Sequence, residues 1–187
     1  MTDLLLPTYT NLLTSLSAWL TKAGEHHADT GALMSARLAP DMFPLATQIR
    51  FVCVQAYEGV GRLRGEAFPP VWLALLEEGR NAASAPGTLA DAQARLRDTL
   101  SYLASLPPGV LDGKGHLAVA HELPNGMVFD MTGDQYVRDW ALPALFPRDD
   151  SLRHPASSRR PARQGRLCPI RPRLPAPGHD ARRPGLI

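Results

Sequence analysis

Apolar positions recur at three- and four-residue spacing in three long stretches, and each stretch predicts a helix. The first reads from about Thr8 to Ala23, where Tyr9, Leu12, Leu13, Leu16, Trp19, Leu20 and Ala23 share one face. Gly24 and the polar run to Thr30, with His26 and His27, read as its end and a solvated loop. The second helix follows the segment Ala36 to Pro44, with Asp41 as the expected N-cap and Pro44 in the first turn. Its stripe is Leu45, Ile49, Val52, Cys53, Ala56, Val60 and Leu63, and Gly65 is the stop. Residues 66–87 carry Phe68-Pro69-Pro70 and a loop-like run from Ala82 to Gly87, and read as a long connection holding one helical turn. Thr88 opens the third helix, with Asp91 in the place of the usual Glu of a capping box. Leu89, Ala92, Leu96, Leu100, Leu103 and Leu106 form its buried face, and Pro107-Pro108 ends it.

From His116 the period changes to two. Leu117, Val119 and His121 alternate with Ala118, Ala120 and Glu122, Pro124-Asn125-Gly126 signals a turn, and Met127, Val128 and Phe129 follow. This pattern predicts a short β-hairpin. Asp134 is the expected cap of a fourth helix through Tyr136, Val137, Trp140, Ala141 and Leu145, kinked at Pro143. The fold class expected is therefore mainly α, an up-down four-helix bundle with a hairpin before its last helix.

Charge divides the chain in two. The whole carries +2, but residues 147–187 hold ten Arg and no Lys against three Asp, a net of +7, which leaves −5 for residues 1–146. That tail also contains eight prolines and no Phe, Tyr or Trp. Too little apolar surface is available there to offset ordering entropy, so a disordered, basic Pro/Arg-rich tail is expected beyond a 1–146 domain. Arginines without interleaved aromatics make nucleic-acid binding unlike the usual single-strand pattern. The two cysteines, Cys53 and Cys168, do not suggest a disulfide framework, and a reducing, cytoplasmic setting is expected. No apolar run nears the ~18 residues that a membrane span needs, and no secretory signal is read at the N-terminus. A homodimer is the expected assembly.

The search for catalytic chemistry finds none. The histidines at 26, 27, 116, 121, 154 and 179 form no helical i, i+3 or i, i+4 pair, and His116 and His121 are expected on opposite faces of one strand. No metal site and no cofactor are expected. Gly59-Val60-Gly61 lies in a helical run without the strand that a phosphate loop requires, and Cys53 reads as a buried small hydrophobe. The polar pair Gln48 and Gln55, seven apart on the second helix, has two readings: a solvated shoulder, or the lining of a pocket between helices.

The segment Ala36-Arg37-Leu38-Ala39-Pro40-Asp41-Met42-Phe43-Pro44-Leu45 resembles the bacterial domain-of-unknown-function family nineteen-ninety-three, a branch of the DinB/YfiT-like helical bundles. Gln48, Arg62-Leu63, Thr132-Gly133-Asp134-Gln135-Tyr136 and Ala141-Leu142-Pro143 support the resemblance, which runs from about Tyr9 to Phe146. It implies a four-helix bundle and kinship with metal-dependent thiol transferases and hydrolases that hold a metal with three histidines. Gln48 looks like the counterpart of the first of those ligands, and the other two belong on the last helix, which the chain leaves incomplete. The expected protein is thus a family member without metal-dependent catalysis. The alternatives are a metal-dependent transferase or hydrolase, and an interaction module with a basic binding tail.

The family pattern continues the last helix where this chain turns basic. Codons can be chosen for Phe146 to Cys168 that, read one nucleotide later, give FHVTTAYAILRHRGVPLGKADY, which has the helical character expected there. The tail therefore reads as the product of a frameshift.

Overall fold

The centre of the fold is a helix that is buried on every side. In the computed structural model, which describes residues 1–123 and 126–145 and the backbone of residues 172–173, every residue from Ala46 to Gly61 is buried. These belong to α3 (Leu45–Arg64), preceded by α1 (Thr2–His26) and α2 (Thr30–Ser35) and followed by α4 (Pro70–Asn81) and α5 (Leu89–Ala104). A 3-10 turn at Lys114–His116 leads into strands β1 (Ala118–Glu122) and β2 (Val128–Thr132). Then α6 (Gly133–Tyr136) continues as one π-helical turn, Val137–Ala141. A two-residue strand, β3 (Pro172–Arg173), pairs antiparallel with β2. The tail reading otherwise falls outside the described residues. The fold is mainly helical with a small antiparallel hairpin, as the periodicities indicate.

The apolar stripe of α3 packs as expected, with Ile49, Cys53, Ala56, Val60 and Leu63 at 0 or 1 % exposure. Gly65 closes the helix at φ 67°, a left-handed conformation that glycine adopts without penalty. The start of the helix differs from expectation. Asp41 is not the cap: Pro44, in extended conformation, occupies that position without a side-chain bond. The 36–45 loop closes on itself instead, Leu45 N–H donating to the Ala36 carbonyl (2.9 Å) and the Arg37 guanidinium to the Met42 carbonyl.

Three helical stretches exceed the sequence expectation. First, α1 starts at Thr2 and runs through Pro7 to His26, so His26 closes a helix rather than lying in a loop. Its first turn is held from outside: the Thr2 hydroxyl donates to Asp112 Oδ1 (2.8 Å) and accepts from Leu111 N–H (3.0 Å). Trp19, placed on the apolar face by spacing, is instead 62 % exposed. Second, α2 is a six-residue helix between the loop expected to end at Thr30 and the segment from Ala36, a stretch for which the spacing predicts no element, and it is capped by Asp29. Third, the connection at 66–87 contains the twelve-residue α4, with Pro70 at its first turn. Trp72, Leu75, Leu76 and Gly79 are its buried face, an i, i+3, i+4, i+7 pattern.

The Thr88–Asp91 capping box of α5 is present with both of its bonds. The hairpin is present too, with Ala118 opposite Thr132 and Glu122 opposite Val128. Its turn residues Pro124 and Asn125 fall outside the described residues. Val119 and His121 point inward and Ala118, Ala120 and Glu122 outward, as the alternation requires. His116, expected in the strand, lies in the 3-10 turn, where the Leu117 N–H closes back on the Lys114 carbonyl (3.0 Å). Asp134 does not cap α6: Thr132 does, in a capping box with Gln135. No described helix is long and apolar enough to cross a membrane.

Candidate functional site

The helices packed around α3 bury it on all sides, and its polar residues are buried with it. At 100° per residue Gln48, Gln55 and Arg62 fall on one line, seven apart, with Glu58 beside them. Gln48 is 7 % and Gln55 2 % exposed, so they are not a solvated shoulder. Glu58 is fully buried. Such a carboxylate persists only with compensating partners. The Arg62 Nε, one turn on, donates to Glu58 Oε1 at 2.7 Å, and Arg62 Nη1 donates to the Ala120 carbonyl of β1 at 3.0 Å.

The hairpin adds the next group. The inward phase of β1 that buries Val119 also carries His121, fully buried, with Nδ1 at 3.4 Å from Glu58 Oε1. The last helix covers it. The Trp140 ring centroid lies 4.1 Å and the Tyr136 centroid 6.1 Å from that of His121, and Phe129 of β2 packs on Trp140 at 5.4 Å. From α1, the Tyr9 hydroxyl donates to the Ala141 carbonyl at 3.5 Å. Gly59 makes room for that ring: a Cβ there would stand 2.3 Å from the Tyr9 hydroxyl oxygen. Four elements distant in sequence thus converge on one carboxylate–guanidinium pair.

Burial sets the proton inventory. Desolvation, with the Arg62 cation adding to it, pushes the His121 imidazole down to about 3, so it is neutral at physiological pH. Its approach to Glu58 is then not an ion pair, because the neutral imidazole carries no charge. Desolvation first, and the Glu58 charge second, drive the Tyr9 and Tyr136 phenols well above their ordinary range, so both keep their protons. Tyr136 Oη, Trp140 Nε1, Arg62 Nη2 and both His121 ring nitrogens are buried without a hydrogen-bond partner among the described residues. Native interiors leave few such groups, and each calls for an explanation. The arrangement concentrates buried hydrogen-bonding groups in a low-dielectric setting.

The three-histidine metal site implied by the resemblance does not fit these residues. Gln48 presents an amide where an imidazole would be needed, and Tyr136 and Trp140 are the aromatic residues that the last helix packs against His121. The buried imidazole, His121, comes from β1. Among the described residues no three His, Cys, Asp or Glu side chains come together as a metal-binding group. Cys53 is buried, and desolvation raises its thiol to about 11, which suits a core residue better than a nucleophile.

A concavity lies elsewhere. It is a groove of about 660 Å³ between α4 and α5, floored by Arg50 of α3, and neither Gln48 nor Gln55 lines it. Of the residues singled out from sequence, the structure joins Arg62, His121 and Tyr136 in one cluster and leaves Gln48 and Gln55 farther along the same face. Glu58 escaped the sequence reading. Its signal was a charge inside the apolar run from Val52 to Val60, four residues before an arginine.

No curated protein and no solved structure matches the chain. Residues 1–146 match the family model described as Domain of unknown function (DUF1993), and the chain belongs to that family.

Proposed function

We propose that the chain is a DinB-like four-helix bundle that binds a small polar molecule without a metal. In this reading α1, α3, α5 and the helix opening at Gly133 are the bundle members, and α4 is an addition between them. The ligand meets the polar line of α3, with Gln48 and Gln55 lining the approach and the Glu58–Arg62 pair at its end. One observation carries the reading: Arg62 Nη2, both His121 ring nitrogens, Tyr136 Oη and Trp140 Nε1 are buried in one cluster beside the Glu58–Arg62 pair without hydrogen-bond partners among the described residues. A fold that needed these groups for its own stability would have paired them. Tyr136→Phe tests this directly. A hydroxyl that serves a ligand is a burden to the free protein, so its removal is expected to leave stability unchanged or raise it by about 1–3 kcal/mol. A loss of more than about 1 kcal/mol in urea unfolding would show the hydroxyl to be structural and defeat the proposal.

We also infer that residues 147–187 derive from a shifted reading frame. The family match spans residues 1–146, and the shift in charge and proline content falls at the same place. The gene sequence across codon 146 tests this. A frame that yields no helical continuation after one nucleotide would refute it.

A further inference from the structure

The groove between α4 and α5 is built from two helical stripes. On α4, Glu77, Glu78 and Asn81 line it, and on α5, Asp91 and Arg95. Arg95 spans the gap, its Nε (3.1 Å) and Nη2 donating to the two oxygens of Glu78. Asp91 is engaged by its own helix cap, one oxygen accepting from the Thr88 N–H and hydroxyl, each at 2.8 Å. Removing these internally satisfied groups leaves one charge of each sign, Arg50 at the floor and Glu77 exposed at the rim.

Arg50 is not a surface arginine. Its side chain is 5 % exposed, yet among the described residues only Nη1 has a hydrogen-bond acceptor, the Ala46 carbonyl at 3.3 Å. Nε is buried and has no hydrogen-bond partner among them. The facing carboxylate oxygen, Glu78 Oε2, is 3.8 Å away and already accepts from Arg95. With Nε shut off from solvent, Nη2 is the guanidinium nitrogen left to the groove, where it can offer a charged hydrogen bond to a carboxylate. Gly87 keeps the space beside Nη2 clear. It holds φ 69°, and a Cβ there would stand 2.9 Å from Arg50 Nη2. The groove's volume, about 660 Å³, is within the usual range for small-ligand sites.

We propose that this groove is a second binding site, specific for a free amino acid, whose carboxylate docks on Arg50 and whose ammonium group meets Glu77. A deep cation and an outer anion favour an amphoteric ligand over a simple anion, which the rim carboxylate repels, and over a simple amine, which leaves Arg50 unanswered. The site is separate from the Glu58 cluster and stands or falls without it. The test titrates the full chain with the twenty free amino acids, and with acetate and ethylamine as its two separated halves, following thermal shift and then calorimetry. At least one amino acid is expected to give saturable binding, with both halves at least about tenfold weaker. Arg50→Lys, which keeps the charge and loses Nη2, is expected to weaken binding about tenfold or more, as loss of a charged hydrogen bond does. Glu77→Gln, an exposed change that should spare the fold, is expected to weaken the amino acid while strengthening acetate, which the rim carboxylate no longer repels. The proposal is overturned if no amino acid binds below about 10 mM, the weak end of ligand affinities. It is equally overturned if acetate alone matches the amino acid, or if Glu77→Gln binds as tightly as the parent.

Discussion

Acid should destabilise this fold through His121 before it reaches the carboxylates. The imidazole is fully buried and its folded value is pushed from 6.5 down to about 3. Below pH 6.5 the unfolded chain takes up a proton that the native state refuses, so stability falls as pH falls, down to about 3. Each pH unit within that window removes about 1.4 kcal/mol, so going from pH 7.5 to 4.5 should cost about 2.7 kcal/mol from this residue alone. That is a large share of a typical ~5–15 kcal/mol margin. The exposed carboxylates Asp91 and Asp112 are held below their ordinary 3.8 by hydrogen bonds from Thr88 and Thr2, and their effects lie mainly below this range. The assay is urea unfolding of the parent and of His121→Gln at both pH values, compared as differences so that contributions shared by the two proteins cancel. The variant should lose about 2.7 kcal/mol less than the parent over the interval. If both lose the same amount, His121 is not the buried neutral group described and the account of the cluster is wrong.

Three further outcomes follow from the core and the site. Ile49→Ala, at a fully buried position of α3, should cost about 2–5 kcal/mol in chemical unfolding, and an unchanged midpoint would remove α3 from the centre of the core. Gly59→Ala should destabilise by about 1–3 kcal/mol despite the better helix propensity of alanine, because the new Cβ meets the buried Tyr9 ring; a stabilised variant would show that the ring is free to move away. Dialysis against zinc or nickel followed by elemental analysis should leave far less than one metal per chain, and a stoichiometric value would restore the metalloenzyme alternative.

The elements that periodicity revealed are those in which one face decides the structure. The stripe of α5 and the alternation of β1 each bury one side, so spacing alone marks them. The α4 helix was hidden by Phe68-Pro69-Pro70 before it and the polar loop after it, although Pro70 is where a helix tolerates proline and Trp72, Leu75, Leu76 and Gly79 carry the right spacing. Two turns of α1 were hidden by Pro7. The bonds of Thr2 to Asp112 and Leu111 that support that end span over a hundred residues, and local propensity carries no trace of them. Trp19 failed in the opposite direction: its spacing is that of a core residue, but no element among the described residues covers that position.

The candidate site was illegible for a related reason. A polar residue on a helix is read as exposed because most helices have a solvent face, and α3 has none between Ala46 and Gly61. Once a helix is enclosed, the inference inverts: Gln48, Gln55 and Glu58 become the costly positions, and the question is what offsets their burial. For Glu58 the answer is Arg62 on the same helix, which spacing does encode, together with β1 and the last helix, which it does not. His121 shows the limit most clearly. The alternation of β1 places it inward beside Val119, yet only the docking of the hairpin on α3 makes its neighbour a carboxylate rather than core. The same side chain therefore belongs to the fold by its phase and to the site by its partner. Phase buries the imidazole, and that burial is the larger cause of its low value; the Arg62 cation adds to it, and both depend on the hairpin docking against α3.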